Sequence, residues 1–372
     1  MTIQKPETAK AAVFVGVDKP FEIREYPLTP TPSGMARLRL AASGVCGTDI
    51  HIHRGKLAMQ SPMIIGHEFV GQVEDISEAD SAASGIRKGD YAIVDIATPC
   101  GTCKLCCEGD DANCINMICS NAGDPEKAPH FWGGYAEYNY SPVGNLVKIP
   151  EGLDPQMVCV YACAGPTALH AFRLAKEANC GLERAKVAVV QGLGPVGTFA
   201  VAYLASLGIP NIVALTAGDN PAREETARSL GASEIFNLDR TEPDEIIASI
   251  RALGDGIGAD LVFEASGNPQ AVPQGMRMLR NRGVYLIPGQ YSNSGNVEIQ
   301  PHLITFNALR MIGSSQYSVC DVADYLDFLR KNTDLHAKIR ALTTAYTVSE
   351  VNTAFEDAKA GKNVKTVLVC QK

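Results

Sequence analysis

Val187-Ala188-Val189-Val190-Gln191-Gly192-Leu193-Gly194-Pro195-Val196-Gly197 decides the fold of this chain. Its first five residues are almost wholly apolar, as expected of a strand buried on both faces. The G-x-G-x-x-G that follows lies directly between that strand and a helix-like stretch from Pro195 to Leu207, which is the context such a loop needs to carry meaning. Gly192 permits the tight turn, Gly194 lets the backbone approach a pyrophosphate, and Gly197 lets helix and strand pack closely. The helix start at Pro195 and Val196 then presents its N-terminus to the phosphates of a dinucleotide.

Working outward, strand-like runs follow at Asn211–Ala217, Glu234–Leu238, Asp260–Glu264, Val284–Pro288 and Leu309–Gly313, with helix-like stretches such as Pro221–Leu230 between most of them. This alternation predicts a doubly wound parallel sheet. A ribose-binding acid is expected near the end of the second strand, in Leu215-Thr-Ala-Gly218-Asp219-Asn-Pro-Ala-Arg223. Asp219 is the candidate, although counting back from Leu230-Gly231 puts the customary acidic position on Gly218. Arg223 would favour a 2′-phosphate, or is simply an exposed helix charge. Val187 to Gly218 carries no charge, yet Gly192, Gly194, Pro195, Gly197, Gly208 and Pro210 punctuate it as strand, helix and strand, so it is not a membrane span.

The 372 residues are 46% hydrophobic and 20% charged, which suits two or three globular domains. A net charge of −8 argues against a nucleic-acid or anionic-membrane surface. Twelve cysteines, behind a polar start without a secretory apolar run, predict metal or thiol chemistry in a reducing, cytoplasmic compartment.

Residues from about Ala11 to Pro150 read as β-rich and loop-rich. Within them Cys100, Cys103, Cys106 and Cys114 form C-x₂-C-x₂-C-x₇-C, a set that can close a tetrahedron around one Zn²⁺ with no open position. A second constellation is Gly44-Val-Cys46-Gly47-Thr48-Asp49-Ile-His51 with Gly66-His67-Glu68. Cys46 and His67 suit Zn²⁺, and Cys163 is the best candidate for a third ligand, leaving one position open for Lewis-acid work on an alcohol oxygen. Thr48 is placed to take the substrate proton and pass it, through a cofactor ribose hydroxyl, to His51, though spacing alone does not separate His51 from His53. Asp49 would orient His67 through its second ring nitrogen. Glu68 either tunes the site, swings in as a transient ligand or is a plain buried carboxylate.

Together these motifs resemble the zinc-dependent medium-chain dehydrogenase/reductase family of the alcohol dehydrogenase type, over essentially the whole chain. The resemblance implies an α/β architecture: a GroES-like, β-rich catalytic domain (1–163, with a structural zinc lobe at about 98–116), a Rossmann domain (164–310) and a return to the catalytic domain (311–372). It implies catalytic zinc on Cys46, His67 and Cys163, and structural zinc on the four-cysteine lobe. Thr167, Ser266, Ile287 and Gly289 correspond to positions near the nicotinamide half of NAD or NADP, and Lys365 to a basic residue on the pyrophosphate. Gly47 and Gly218 depart from the pattern, where relatives place an arginine and an aspartate. Leu57, His130, Trp132 and Tyr317 are expected substrate linings.

The function so implied is oxidation of a primary or secondary alcohol, cyclic or terpenoid among the options, with hydride transfer to NAD(P)⁺. The rivals are an NADPH-preferring carbonyl reductase of the same family and a catalytically silent zinc- and nucleotide-binding protein. Two Zn²⁺ per chain, NAD in preference to NADP, and a homodimer or homotetramer are expected.

Overall fold

A computed structural model describes residues 7–370. Two compact units divide them: one runs to Cys163 and resumes at Ser318, and the other is Ala164–Tyr317.

The second unit is built on six parallel strands: Val187–Gln191, Asn211–Thr216, Glu234–Asn237, Ala259–Glu264, Leu279–Ile287 and Arg310–Gly313. Numbered in chain order, they lie 3-2-1-4-5-6 across the sheet. That is the Rossmann order, with its switch point between the first and fourth strands. Every residue of Val187–Gln191 is buried, as its apolar composition demands. Helix Pro195–Ser206 starts with proline in its first turn after Gly194, and much of it is buried. Its apolar character therefore reflects burial on several sides. Among the described residues no helix is long and apolar enough to cross a membrane. Helix Pro221–Leu230 is capped by the Asn220 side chain and stopped by Gly231 at φ +118°.

Two details differ from the expected outline. Arg310–Gly313 pairs with Leu279–Ile287 as the sixth strand, so this unit extends to Tyr317 and does not stop at residue 310. Leu279–Ile287 also begins five residues before Val284. Its pairing with Ala259–Glu264 slips between Ala259 and Leu261, and Arg282 within the slip sits at φ +60°.

In the first unit a seven-stranded sheet runs Thr343–Thr347, Lys365–Val369, Met35–Gly44, Glu68–Ile76, Tyr91–Val94, Leu146–Lys148, with Tyr138–Pro142 also on Met35–Gly44. The final strand returns as expected, Val367 opposite Gly44 and Leu368 opposite Ser43. Phe14, Phe21, Tyr135 and Phe355 centre the core on one side. Helix Gly47–His53 leaves Met35–Gly44 immediately, and His67 and Glu68 stand at the start of the neighbouring strand. Sheet pairing of Gly44 with Glu68 thus brings both halves of the metal-binding motif together.

Candidate metal centres and cofactor cavity

The four-cysteine lobe is closed at its base by a two-residue ladder, Ala97 opposite Cys119 and Thr98 opposite Ile118. Its four sulfur atoms lie within 4.8 Å of one another. Cys103 Sγ is 3.5 Å from Cys106 Sγ and 3.9 Å from Cys114 Sγ. A tetrahedron with Zn–S bonds of ~2.3 Å has edges of about 3.8 Å, so these spacings fit zinc. Backbone N–H groups of Cys103 and Cys100 donate to Cys100 Sγ and Cys114 Sγ, each at 3.3 Å. Donors at Thr102, Asn116 and Cys103 bring Cys100 down to about 5, favouring the thiolate a metal requires.

The second cluster joins Cys46, His67, Glu68 and Cys163, again with ligand atoms within 4.8 Å. Cys46 caps helix Gly47–His53, its N–H donating to Asp49 Oδ2 at 2.9 Å. Asp49 is wholly buried, also accepts from Tyr135 Oη at 2.9 Å, and places Oδ1 3.3 Å from His67 Nδ1. Nδ1 is thereby engaged, which leaves Nε2 as the nitrogen for a metal. Gly66 turns at φ +95°, and a Cβ there would meet the Tyr135 ring at 2.5 Å. Cys46 is held well below the ordinary thiol range, first by its contact with Cys163 and then by His67. Two sulfurs and one oriented imidazole are a zinc donor set with room for a further ligand.

Glu68 and Lys365 form a fully buried ion pair beside this cluster. Burial raises the Glu68 carboxyl to about 7 even with Lys365 against it. The pair corrects the expectation for Lys365. Its Nζ is turned onto a carboxylate 297 residues earlier and does not stand free for a pyrophosphate. Gly44 makes the space, since a Cβ there would meet the Glu68 carboxylate and come within 2.9 Å of Lys365 Cε.

Helix Gly47–His53 sorts its remaining side chains by face. Asp49, Ile52 and His53 are buried, whereas Thr48 and His51, three residues apart and so neighbours on one face, are half-buried. His53 packs among Phe14, Phe21 and Phe355 and shares a hydrogen bond with the Lys19 carbonyl at 2.9 Å. It belongs to the core, which singles out His51. Burial, then Lys56, lowers the His51 pKa below its ordinary 6.5.

In the second unit the glycine loop has the shape its sequence implies. Gly192 turns at φ +93°, with Ser266 Cα 2.7 Å from where a Cβ would stand. A Cβ on Gly197 would overlap the Gly192 carbonyl oxygen, and one on Gly194 would meet nothing within 4 Å. Gly194 is therefore the open face of the loop. Glu264, wholly buried, accepts from Ser266 N, Ser266 Oγ and Gly267 N, and its carbonyl accepts from Gly289 N at 3.0 Å. One carboxylate thus ties the Ser266 loop and its peptide ties Gly289, with Ile287 two residues before. Thr167, Pro195 and Val196 are half-buried.

At the C-terminal ends of these strands is a cavity of about 410 Å³ lined by Gly192, Thr216, Ala217, Ser266, Gln270 and Arg277, among others. None of its lining residues is a carboxylate. Asp219 is exposed and paired with Arg240 at 2.7 Å, away from the expected ribose role. Gly218, at φ +74°, donates to Asp239 Oδ2, and its carbonyl accepts from Asn237 Nδ2. Arg223 is half-buried on its helix and does not line the cavity. Arg277 escaped the sequence reading, because it sits on a helix after the fourth strand with no motif to mark it.

Of the expected substrate linings, Leu57, His130 and Trp132 belong to the first unit and Tyr317 to the second. Leu57 packs on the first unit's core. Trp132 lies over Gly123, and its indole N–H has no partner among the described residues. His130 shares a hydrogen bond with the Pro125 carbonyl and stacks on Tyr26. Tyr317 is buried at the end of the second unit.

Family models for the alcohol dehydrogenase GroES-like domain and for zinc-binding dehydrogenase match residues 32–151 and 195–331. The chain is 30% identical over 365 residues to 5-exo-hydroxycamphor dehydrogenase of Pseudomonas putida, covering 97% of this chain and 98% of that protein. It is 27% identical to sorbitol dehydrogenase of Halalkalibacterium halodurans, covering 94% and 95%. The crystal structure of an alcohol dehydrogenase from Thermotoga maritima superposes with a TM-score of 0.87 at 26% identity, covering 97% of this chain and 99% of that one. The chain belongs to the zinc-dependent alcohol dehydrogenase family of medium-chain dehydrogenases. It is an oxidoreductase acting on CH–OH groups, with zinc and a nicotinamide dinucleotide as cofactors.

Proposed function

We infer that this chain interconverts an alcohol and its carbonyl compound, a primary or secondary alcohol in general and a cyclic or terpenoid one in particular. The observation that carries the reading is the helix Gly47–His53: Cys46 at its cap joins His67 and Cys163, while Thr48 and His51 share its half-exposed face. Cys46, His67 and Cys163 would hold a zinc ion that supplies Lewis-acid polarisation of the alcohol oxygen, and a bound nicotinamide would supply the hydride acceptor. Asp49 holds the imidazole of His67 in the ligating orientation. The Thr48 hydroxyl would take the substrate proton while passing its own on, and the His51 imidazole, its pKa lowered by burial, would accept that proton and give it up to solvent. Lys365 fixes Glu68 beside the cluster. The four-cysteine lobe takes the second zinc and acts on stability alone.

The glycine loop would hold the pyrophosphate on its open face at Gly194, with Gly192 making the turn and Gly197 the close helix packing, and the cavity of about 410 Å³ would take the adenosine end. A carboxylate-free lining with Arg277 imposes no repulsion on a 2′-phosphate, so NADP is admitted as well as NAD. That observation favours a second reading, in which the enzyme reduces carbonyl compounds with NADPH. A relative named for a hydroxycamphor supports the cyclic substrate class. The free edge of strand Arg310–Gly313 and the 82% exposed Phe306 nearby support self-association as a dimer or tetramer. Twelve cysteines without a disulfide support a reducing cytoplasm.

A panel of primary, secondary and cyclic alcohols and ketones, run separately with each nicotinamide cofactor, tests the reading. Turnover concentrated on cyclic secondary alcohols is the expected result. Turnover confined to ketones with NADPH would establish the second reading instead.

A further inference from the structure

The N-terminal edge of the Rossmann sheet carries a second polar cavity, of about 490 Å³, lined by Asn179, Cys180, Arg184, Arg280, Arg282 and Arg310. Four guanidinium groups in one cavity are unexpected in a chain of net charge −8. They come from three separate segments. Arg184 precedes the first strand by three residues, Arg280 and Arg282 open the fifth strand, and Arg310 opens the sixth. Because all six strands are parallel, these starts share one edge of the sheet, and the cofactor cavity lies at the other. A strand of five residues separates the two by about 17 Å.

The charges are incompletely balanced. Arg280 Nε meets Asp260 Oδ1 at 2.6 Å, and Arg184 Nε lies 3.5 Å from Glu183 Oε1. Among the described residues the Arg310 guanidinium donates only to the Asn179 carbonyl, at 2.9 Å. The Arg282 guanidinium has no hydrogen-bond or ion-pair partner among the described residues. Arg282 is moreover held at φ +60°, where non-glycine residues are uncommon, with its N–H fixed to the Asn307 carbonyl at 2.7 Å. The Arg184 side chain, 82% exposed, lies against Gly181 at φ +66°, where a Cβ would stand 2.7 Å from Arg184 Nη2.

We propose that this cavity is an anion site for a compact oligophosphate, separate from the cofactor site. Guanidinium forks match phosphate oxygens two at a time, and two of the four here lack a carboxylate, which fits a ligand of at least two negative charges. The volume exceeds what one phosphate fills. No aromatic or aliphatic side chain lines it, so there is no platform for a nucleobase, and the ligand is the phosphate chain itself.

Inorganic diphosphate is the probe, titrated calorimetrically into the full-length, zinc-loaded enzyme at constant ionic strength, with zinc content measured before and after. The expected result is saturable binding of one diphosphate per chain that persists in excess NAD⁺. Arg282→Gly, which also relieves the positive φ, and Arg184→Gln should each weaken it about tenfold or more. Arg330→Gln, which removes one charge from the other unit, should leave it unchanged and controls for net charge. The proposal is overturned by absence of saturable binding, by displacement with NAD⁺, by heat that tracks zinc loss, or by equal weakening in Arg330→Gln.

Discussion

Replacing Gly194 by alanine should separate cofactor binding from folding, whereas the same change at Gly197 should damage folding first. Gly194 has φ −73°, an ordinary value for alanine, and an added Cβ meets nothing within 4 Å. The unfolded chain loses freedom, so the apo protein should gain about 0.4–1 kcal/mol. The new methyl stands on the loop face where the backbone approaches the pyrophosphate. Loss of one charge-assisted N–H···O contact costs about 1.5–3 kcal/mol, or roughly 10–150-fold in Kd for NADH. At Gly197 the added Cβ falls on the Gly192 carbonyl, 3.0 Å from its carbon, so helix Pro195–Ser206 must move off the strand. Overpacking of that kind costs about 1–3 kcal/mol. At about 2–4 °C per kcal/mol for a unit of this size, the melting temperature falls by roughly 2–12 °C. Thermal melts of the apo proteins and NADH fluorescence titrations supply both readouts. The reasoning is refuted if Gly194→Ala melts as low as Gly197→Ala, or binds NADH as the parent does.

His51→Gln should slow turnover by about 10²-fold and remove the acid limb of the kcat profile. The lowered pKa puts that limb below pH 6.5, where protonation denies His51 the proton it must accept; an unchanged limb would contradict the assignment. Gly44→Ala should force apart the buried Glu68–Lys365 pair and lower the urea-unfolding free energy by about 3–5 kcal/mol, while Gly47→Ala, with nothing within 4 Å, should be near neutral. Cys103→Ser should reduce thermal stability, because binding a structural zinc is itself folding free energy; a melt equal to the parent would refute a structural role for the lobe.

Elements whose start and stop signals lie within them were legible in the sequence. Pro221–Leu230 was outlined to the residue because Asn220 caps it and Gly231 stops it, and Val187–Gln191 because both its faces are apolar. The metal clusters were legible because four of their ligands fall within fifteen residues and the others stand in short motifs. What escaped depends on contacts between distant segments. Lys365 was read from its neighbours, but its partner is Glu68. Asp219 is the acid next to the end of the second strand, yet it stands exposed and pairs with Arg240 on a later loop. His51 and His53 differ only in which one meets Phe14, Phe21 and Phe355. The domain boundary moved to Tyr317 because a short strand, Arg310–Gly313, finds its partner in the Rossmann sheet.

The central claim is that Cys46, His67 and Cys163 hold one zinc for chemistry, while the four-cysteine lobe holds another for structure. The direct measurement is zinc content per chain, alongside alcohol-dependent reduction of NAD⁺ or NADP⁺, in the parent enzyme and in Cys46→Ser. The account predicts two zinc ions in the parent, one in Cys46→Ser, and loss of turnover with the melting profile largely kept. An unchanged zinc count in Cys46→Ser, or turnover that survives the loss of one zinc, would contradict it.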